Sequence, residues 1–271
     1  MPEPFLSVCR WDIDKSKQDF MIALITGASS GIGAAAAQKF AQEGYDIIIT
    51  GRRASQLEAL AKEWSAAYGV RVHCLVFDVR ENEAVCEALQ GLPAEWKEID
   101  VLVNNAGLAV GLQGIQEGVL DDWERMIDTN VKGLLYVSRV VAPWLAARKK
   151  GHIVNIGSIA GKEVYPNGGV YCATKHAVDA LSKGLRMDLL PHGVRVSQIC
   201  PGAVETEFSE VRFKGDKERA AQVYKGFDAL CAGDIADAIW YVCQLPPHVN
   251  VNDLVIMPTA QACASLFHKV L

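Results

Sequence analysis

Short runs of apolar and β-branched residues alternate along the chain with longer stretches in which apolar residues recur at helical spacing. These longer stretches contain few helix breakers and predict helices, among them 34–42, 55–68, 123–148 and 170–190. Strands that alternate with helices are typical of a parallel sheet with helices on both faces. We therefore predict an α/β fold, a single domain with a doubly wound, parallel, seven-stranded sheet. The predicted strands lie at residues 21–26, 46–50, 72–77, 100–104, 152–158, 194–200 and 254–257.

Two segments lie outside this alternation. Residues 1–20 precede the first strand of the 21–271 domain and show no strong period, so this N-terminal extension is either a flexible arm or an extra element on the sheet edge. Residues 205–230 are charged and follow Pro201 and Gly202 at the end of the sixth strand. A doubly wound fold keeps its substrate crevice beyond the carboxyl ends of its strands. We therefore interpret residues 205–230 as a helical lid over that crevice.

Composition and charge exclude several classes of protein. The net charge of -5, without a dense Lys/Arg stripe, argues against a nucleic-acid partner. The 8 cysteines are scattered, with no CxxC pair and no Cys/His cluster at metal spacing, which favours free thiols in a reducing cytoplasm and no metal site. The start of the chain lacks a signal-peptide pattern, and no stretch reaches the roughly 20 apolar residues of a membrane helix. We expect a cytoplasmic protein that acts on a small molecule.

A glycine-rich turn of sequence TGASSGIG joins the first strand to the following helix. Gly27 and Gly31 permit backbone angles or close approaches that a side chain would block, and Gly33 lets the helix lie near the strand. The helix N-terminus offers free N–H groups and a positive dipole end to a pyrophosphate. Alone such a turn is a weak signal, but its place between strand and helix favours dinucleotide binding in a Rossmann-type fold. The predicted cradle comprises Gly27, Ser29, Ser30, Gly31, Ile32 and Gly33.

Two arginines after the second strand indicate which dinucleotide binds. An enzyme that prefers NAD usually carries an acidic residue there for the ribose hydroxyls, whereas this chain carries Arg52 and Arg53. Guanidinium groups offer a planar fork of donors and a permanent charge, which suit the extra 2'-phosphate of NADP(H). Ser30 can add its hydroxyl to the same phosphate. The alternative is a solvated cluster of charge, but the position one turn after the strand favours phosphate recognition.

Four polar residues between positions 130 and 175 predict acid/base chemistry. Tyr171 and Lys175 are four residues apart at the start of a predicted helix, so their side chains share one face. Ser158 stands at the end of the preceding strand, above the cofactor crevice, and Asn130 lies in the long helix before it. A phenol with a pKa of about 10 is a poor acid or base at neutral pH unless a nearby ammonium stabilises its phenolate. Lys175 can supply that charge.

The motifs occur together and in order: the glycine turn, Asp78-Val79, Asn104-Asn105-Ala106-Gly107, Asn130, Ser158, Tyr171-x-x-x-Lys175 and Pro201-Gly202. In this arrangement the chain resembles the short-chain dehydrogenase/reductase family over roughly residues 21–260. The resemblance implies an oxidoreductase in which Tyr171 is the acid/base on the substrate oxygen and Ser158 hydrogen-bonds that oxygen. It also implies that Lys175 holds the nicotinamide ribose and lowers the pKa of the tyrosine. Asn130 would position a water in a proton relay.

The resemblance extends the cofactor site beyond the glycine turn and the arginines. Two of these residues have a simpler alternative, since Asp78 can cap the following helix and Gly107 can stabilise the end of a central strand. From the adenine to the nicotinamide end, the residues implied to contact NADP(H) are Asp78, Val79, Asn105, Ala106, Gly107, Tyr171, Lys175, Pro201, Gly202, Val204 and Thr206.

Less general stretches, at 92–96, 99–108, 126–130, 206–208 and 211–216, are similar to the NADP-dependent 3-hydroxy acid dehydrogenases. That subgroup reduces malonic semialdehyde and oxidises serine or allo-threonine at the 3-hydroxyl, and sulfoacetaldehyde reductases look much like it. The resemblance implies a small 3-hydroxy acid or its aldehyde as substrate. It also implies a homotetramer, which is the usual assembly of the family.

A small anionic substrate needs a cation near its carbonyl group, and residues 205–230 offer Arg212 and Lys214. We favour Arg212, which with Ser158 and Tyr171 forms the predicted substrate site; the alternative is that Arg212 bridges the lid helix or a subunit interface. Two other functions stay open. One is the reduction of another small carbonyl, such as sulfoacetaldehyde, a diketone or a 3-oxoacyl thioester. The other is a non-catalytic, NADP(H)-binding regulator, although such proteins usually lose part of the Ser, Tyr and Lys set.

Overall fold

Seven parallel strands form the central sheet of the computed structural model, which describes residues 21–270. The prediction for residues 1–20 lies outside the described residues. Within residues 21–270 the strands are β1 (Ile22–Ile25), β2 (Asp46–Gly51), β3 (Val72–Val76), β4 (Ile99–Asn104), β5 (His152–Ile156), β6 (Arg195–Pro201), β7 (Val204–Glu205), β8 (Leu230–Cys231) and β9 (Asp253–Ile256). Strands β7 and β8 pair with each other, and the other strands form the central sheet in the order β3-β2-β1-β4-β5-β6-β9.

Helices cover both faces of this sheet. The described helices are α1 (Gly31–Gln42), α2 (Ala54–Tyr68), α3 (Asn82–Gln90), α4 (Leu120–Ile127), α5 (Leu134–Arg148), α6 (Gly169–Leu189), α7 (Phe208–Arg212), α8 (Lys217–Tyr224) and α9 (Ala232–Cys243). Helices α1, α2 and α9 pack against one face, and α3, α5 and α6 pack against the other. The predicted doubly wound, parallel, seven-stranded α/β fold is therefore confirmed.

The two-sided burial explains why the strands have continuous apolar runs. In β1, Ala23 and Ile25 belong to the core on one face, while Ile22 and Leu24 belong to the core on the other. Successive side chains of a strand point to opposite faces, so a strand buried on both faces is apolar at most positions. The order of strands changes direction between β1 and β4, and the carboxyl ends of these strands open the crevice in which a ligand binds in such folds.

The predicted helix at 123–148 is not a single regular helix. It begins earlier, with α4 at Leu120, and a π-helical segment at Asp128–Gly133 separates α4 from α5. The wider turn of the π-helical segment inserts an extra residue into the helix, and the segment includes Asn130. An apolar pattern does not reveal this insertion, because the residues on either side keep a helical period.

The fifth strand ends earlier than the sequence predicts. Strand β5 stops at Ile156, and Ser158 begins a short 3-10 helix at Ile159–Gly161. The Ala160 amide donates a hydrogen bond to Ser158 Oγ over 3.1 Å, so the serine caps this turn. The serine therefore lies in a tight turn at the carboxyl end of the sheet rather than in the strand.

Residues 205–230 form a separate unit above the sheet. Strands β7 and β8 bring its two ends together, and the short helices α7 and α8 lie between them. Ser209 and Tyr224 hold the two helices together with a hydrogen bond of 2.6 Å between their hydroxyl groups. Within residues 21–270, no helix is both long and apolar enough to cross a membrane.

Candidate active site

A cavity of about 590 Å³ opens at the carboxyl ends of β1, β2, β4, β5 and β6. The predicted site residues come together here from positions far apart in the chain. Only two of them do not line the cavity: Gly33 and Asn130 lie behind its wall. The predicted residues that line it are Gly27, Ser29, Ser30, Gly31, Ile32, Arg52, Arg53, Asp78, Val79, Asn105, Ala106, Gly107, Ser158, Tyr171, Lys175, Pro201, Gly202, Val204, Thr206 and Arg212.

The glycine turn forms a concave floor at one end of the cavity. Gly27 has a φ of +66°, which favours glycine, and a Cβ on Gly33 would lie 2.3 Å from the carbonyl oxygen of Gly27. Gly33 thus allows α1 to pack directly under the turn. The Ala34 amide makes the first helical hydrogen bond, to the carbonyl of Ser30, and the first turn of α1 contains no acidic residue. The N–H groups before Ala34 and the positive end of the helix dipole therefore suit a pyrophosphate.

Thr26 and Asn105 join the ends of β1 and β4 beside this turn. Thr26 Oγ1 accepts hydrogen bonds of 3.0 Å from the amides of Asn105 and Ala106. The Asn105 side chain donates in return to the carbonyl oxygens of Thr26 and Gly27, over 2.8 and 3.2 Å. These bonds fix the backbone of the glycine turn against that of Asn105 and Ala106, so the cradle is preorganised.

The arginine pair lies at the edge of the same floor. Arg53 donates to Ser29 Oγ over 3.0 and 3.1 Å and to Ser30 Oγ over 2.6 Å, and it pairs with Glu207 over 3.1 Å. Arg53 therefore connects the glycine turn to the segment above the sheet. Both guanidinium groups are well exposed, with relative side-chain accessibilities of 62% for Arg52 and 42% for Arg53. They leave donors open to an anion from solvent.

Asp78 closes this end of the cavity. Burial alone would raise the pKa of Asp78, but the hydrogen bonds from Arg80 and the charges of Arg80 and Arg52 together outweigh burial and lower the pKa. The carboxylate accepts from the Arg80 amide over 3.0 Å and from its guanidinium over 2.8 and 3.0 Å. Asp78 is thus ionised at neutral pH and fixed by Arg80, with Arg52 at 3.7 Å.

Ser158, Tyr171 and Lys175 meet at the other end of the cavity. Tyr171 and Lys175 lie in the first turns of α6, and both are buried. Lys175 Nζ donates to the carbonyl of Ile156 over 2.8 Å and lies 6.0 Å from the centre of the Tyr171 ring. Ser158 Oγ accepts a hydrogen bond from the Ala160 amide over 3.1 Å and donates a long one, 3.4 Å, to the carbonyl of Pro201. The three polar groups face one space with donor capacity left for a ligand.

Burial governs the protonation of this group. Burial raises the pKa of Tyr171, as does Tyr165, and the hydrogen bond with Ser158 and the charge of Arg212 counteract the rise only in part. Burial lowers the pKa of Lys175 to about 8. The pKa of Tyr171 is therefore higher, not lower, than that of a free phenol, and Lys175 is not among the groups that lower it. The Tyr171 hydroxyl is accordingly protonated at neutral pH and able to donate a hydrogen bond.

Asn130 lies one layer behind the wall, in the π-helical segment. Its amide is fully engaged: Oδ1 accepts from the Leu108 amide over 2.8 Å, and Nδ2 donates to the Leu108 carbonyl and to Thr174 Oγ1 over 2.8 and 3.0 Å. A Cβ on Gly107 would lie 3.2 Å from Asn130 Oδ1 and 3.6 Å from Lys175 Nζ. The Asn130 side chain thus holds the 107–108 backbone beside Lys175.

Arg212 reaches the cavity from α7. Its guanidinium lies 5.4 Å from the ring centre of Tyr165 and 5.7 Å from that of Tyr171, and Nη2 donates to the Tyr165 hydroxyl over 2.8 Å. Arg212 Nε is buried without a hydrogen-bond partner among the described residues. Lys214, the other predicted cation, instead pairs with the buried Asp122 over 2.8 Å. Arg212 is therefore the cation of this segment that faces the reactive end.

Comparison with known proteins decides the family. The family profile described as short chain dehydrogenase matches residues 21–217. The chain belongs to the short-chain dehydrogenase family.

Three relatives are similar to this short-chain dehydrogenase over most of its length. An NADP-dependent 3-hydroxy acid dehydrogenase of Salmonella typhimurium is 49% identical over 91% of this chain and 98% of that protein. A sulfoacetaldehyde reductase of Chromohalobacter salexigens is 48% identical over 89% of this chain and 95% of that protein. The solved closed form of a serine dehydrogenase complexed with NADP+ is 46% identical and covers 93% of this chain and 100% of its own, with a TM-score of 0.86.

Sequence reasoning missed several residues that line the cavity of this short-chain dehydrogenase. Tyr165 accepts the hydrogen bond of Arg212, and Glu207 pairs with Arg53. Ala264 and Phe267 come from the C-terminal end of the chain. Tyr165 and Phe267 belong to no motif, and only the fold brings them to the cavity. In residues 21–270, no group of three or more His, Cys, Asp or Glu side chains is placed to hold a metal ion.

Proposed function

We propose that this short-chain dehydrogenase interconverts a small 3-hydroxy acid and its aldehyde or ketone with NADP(H). The observation that supports an acidic substrate is the Arg212 guanidinium, which lines the reactive end of the cavity beside the rings of Tyr165 and Tyr171. Its permanent charge and planar fork of donors suit a substrate carboxylate. The carboxylates that line the cavity, Asp78 and Glu207, instead pair with arginines at the opposite end.

Several residues of the cavity support the binding of NADP(H). The cradle of Gly27 to Gly33 would hold the pyrophosphate through backbone N–H groups. Arg52 and Arg53 would hold the 2'-phosphate, with the Ser29 and Ser30 hydroxyls already hydrogen-bonded to Arg53. The NADP-dependent dehydrogenase and the NADP+ complex among the relatives support the same cofactor. The chemistry that bound NADPH supplies is the transfer of a hydride to the carbonyl carbon of the substrate.

The residues at the reactive end manage the proton and the charge. As the carbonyl carbon gains its hydrogen, Tyr171 donates its phenolic proton to the carbonyl oxygen, and the alcohol is formed. Ser158 donates a hydrogen bond to the same oxygen and stabilises its developing negative charge. Its present bond to the carbonyl of Pro201 is 3.4 Å long, so the hydroxyl can turn to a substrate with little loss. Oxidation of the alcohol follows the reverse path.

Lys175 and Asn130 support this proton transfer. Lys175 uses one donor on the carbonyl of Ile156, and its other donors can hold the nicotinamide ribose and stabilise the phenolate that forms when Tyr171 loses its proton. Asn130 holds the backbone of Leu108 through two hydrogen bonds of 2.8 Å. Since its amide is engaged there, we propose that any water relay at this position uses the backbone of the π-helical segment rather than the Asn130 side chain.

Replacing Arg212 tests the substrate class. Arg212→Ala should lower kcat/KM for a small hydroxy acid by about tenfold or more, since a hydrogen bond to a charged group contributes about 1.5–3 kcal/mol. Neutral aldehydes of the same size should lose less than about threefold. The measurement is steady-state NADPH oxidation with malonic semialdehyde and with propanal. Lys217→Ala, which removes an exposed positive charge from α8, is the matched control. Equal loss on both substrates would assign Arg212 to the structure of α7.

The second candidate is a sulfoacetaldehyde reductase. A sulfonate is also a small anion with several oxygen acceptors, so Arg212 would suit it equally well. The similarity to the sulfoacetaldehyde reductase of Chromohalobacter salexigens favours this alternative over a neutral diketone or a 3-oxoacyl thioester. The same assay with sulfoacetaldehyde beside malonic semialdehyde separates the two acids by their kcat/KM values.

We also propose that the enzyme is a cytoplasmic homotetramer. Leu135 on α5 and Met187 on α6 expose their apolar side chains, as residues at subunit contacts often do. Sedimentation equilibrium should give four times the chain mass of 29.4 kDa. A mass of one or two chains would contradict the tetramer.

The free thiols of the described cysteines support the cytoplasmic location, because they are consistent with a reducing compartment. Recovery of the protein outside the cytoplasmic fraction would contradict this location.

A further inference from the structure

Residues 261–270, which we call the C-terminal strap, run along one rim of the cavity. Gln261 Oε1 accepts a hydrogen bond of 2.8 Å from the amide of Ala203, directly after the Pro201-Gly202 pair. The Ala264 amide donates to Glu163 Oε2 over 2.7 Å, close to the turn that Ser158 caps. The first half of the strap is thus bonded to two parts of the reactive end.

The second half of the strap is bonded to the segment above the sheet. The Val270 amide donates to the carbonyl of Gly226 over 2.8 Å, and Lys269 Nζ donates to the carbonyl of Val223 over 3.1 Å. A Cβ at Gly226 would lie 2.9 Å from the carbonyl oxygen of Val270, so the glycine allows this close approach. The strap therefore bridges the loop after β6 and the C-terminal end of α8.

Phe267 is the large side chain that the strap contributes to the cavity. It lies opposite Gln261 in an antiparallel bridge, which the hydrogen bond of 2.8 Å from the His268 amide to the Ala260 carbonyl supports. Gln261 and Phe267 both line the cavity, and Gln261 contacts the backbone of Ala203, so the bridge places Phe267 at the part of the cavity bordered by the loop after β6. The Phe227 ring packs 5.1 Å from the Phe267 ring, centre to centre, and Lys269 Nζ lies over both rings.

We propose that the Phe267 ring is the end wall of the substrate site and sets the length of the carbonyl compound that the enzyme accepts. The Phe267 ring packs against Phe227, and the bridge to Gln261 fixes the backbone of Phe267, so the ring cannot move aside without loss of packing. A longer substrate chain would meet this ring. The inference rests on the proposed reduction at Tyr171 but not on the acidic nature of the substrate.

A series of straight-chain aldehydes from propanal to hexanal tests this role with NADPH as cofactor. In the native enzyme, kcat/KM should fall as the chain lengthens. In Phe267→Ala, the ratio of kcat/KM for hexanal to that for propanal should rise at least about tenfold, because one or more methylene groups in an apolar pocket change kcat/KM by about 10- to 200-fold. Phe267→Leu should give a smaller rise, and Phe267→Trp should lower the ratio.

Leu266→Ala is the matched control, because Leu266 is exposed and does not line the cavity. Leu266→Ala should leave the ratio unchanged. The Kd for NADPH should keep its native value in all variants. An unchanged ratio in folded Phe267→Ala and Phe267→Leu, or an equal rise in Leu266→Ala, would overturn the proposal. Malonic semialdehyde is assayed in parallel: its failure as a substrate, with aldehydes still reduced, would refute the hydroxy acid function and leave the length series as a valid test of Phe267.

Discussion

Tyr171→Phe should lower kcat by about 10²- to 10⁴-fold in both directions, the contribution that a general acid or base typically makes. The substitution removes one hydroxyl group and keeps the ring, so the packing of Tyr171 against Phe208, at 5.8 Å between ring centres, is retained. The Kd for NADPH should change by less than about threefold, since the substitution removes a proton donor and not a charge. Stopped-flow or steady-state kinetics and a fluorescence titration with NADPH measure the two quantities.

Tyr136→Phe is the matched control for this substitution. Tyr136 lies on α5, partly buried against the core, and does not line the cavity, so its variant should keep native kcat. Burial raises the pKa of Tyr171, and oxidation of the alcohol requires the deprotonated tyrosine as the base. Oxidation by the native enzyme should therefore speed up with rising pH, whereas reduction should not require a high pH. Residual activity of Tyr171→Phe above about a tenth of native would show that another group transfers the proton.

The double variant Arg52→Ala/Arg53→Ala should raise the KM for NADPH at least about tenfold and change that for NADH less than about threefold. Charge-assisted hydrogen bonds contribute about 1.5–3 kcal/mol each, and exposure to solvent reduces this contribution. Only NADPH carries the phosphate that these donors recognise. The single variants should divide the effect, with the larger part at Arg53, because Ser29 and Ser30 already orient its guanidinium.

Lys62→Ala serves as the control for charge, because it removes an exposed cation from α2 that does not line the cavity. The effect of the arginine substitutions should also weaken as the salt concentration rises, because screening acts on exposed charges. Equal increases in the KM for NADPH and NADH would show that the arginines only stabilise the fold of the turn.

Local patterns predicted the parts of the site that depend on neighbours in the chain. The glycine turn is predictable because a turn between strand and helix needs glycine at fixed spacing. Tyr171 and Lys175 are predictable as a pair because a separation of four residues places two side chains on one helix face. The seven strands are predictable because burial on both faces favours continuous apolar runs. Each of these features is decided within about ten residues.

Contacts between distant parts of the chain could not be predicted in the same way. Arg53 and Glu207 pair across 154 positions, and Phe267 reaches the cavity through the bonds of the strap to Ala203 and Gly226. Neither contact leaves a periodic pattern. The pKa shift of Tyr171 is a further example, because its direction depends on the burial of the side chain, which only the packed structure defines.

The most direct test of the account is a steady-state assay of the purified protein with NADPH and NADH against malonic semialdehyde, sulfoacetaldehyde and propanal. The reverse reaction with NADP+ and serine, allo-threonine or 3-hydroxypropionate is measured alongside. We expect the highest kcat/KM for the small acids, with NADPH strongly preferred to NADH. Turnover of propanal alone would reject the hydroxy acid assignment, and NADPH binding without turnover of any of these compounds would contradict the enzymatic function itself.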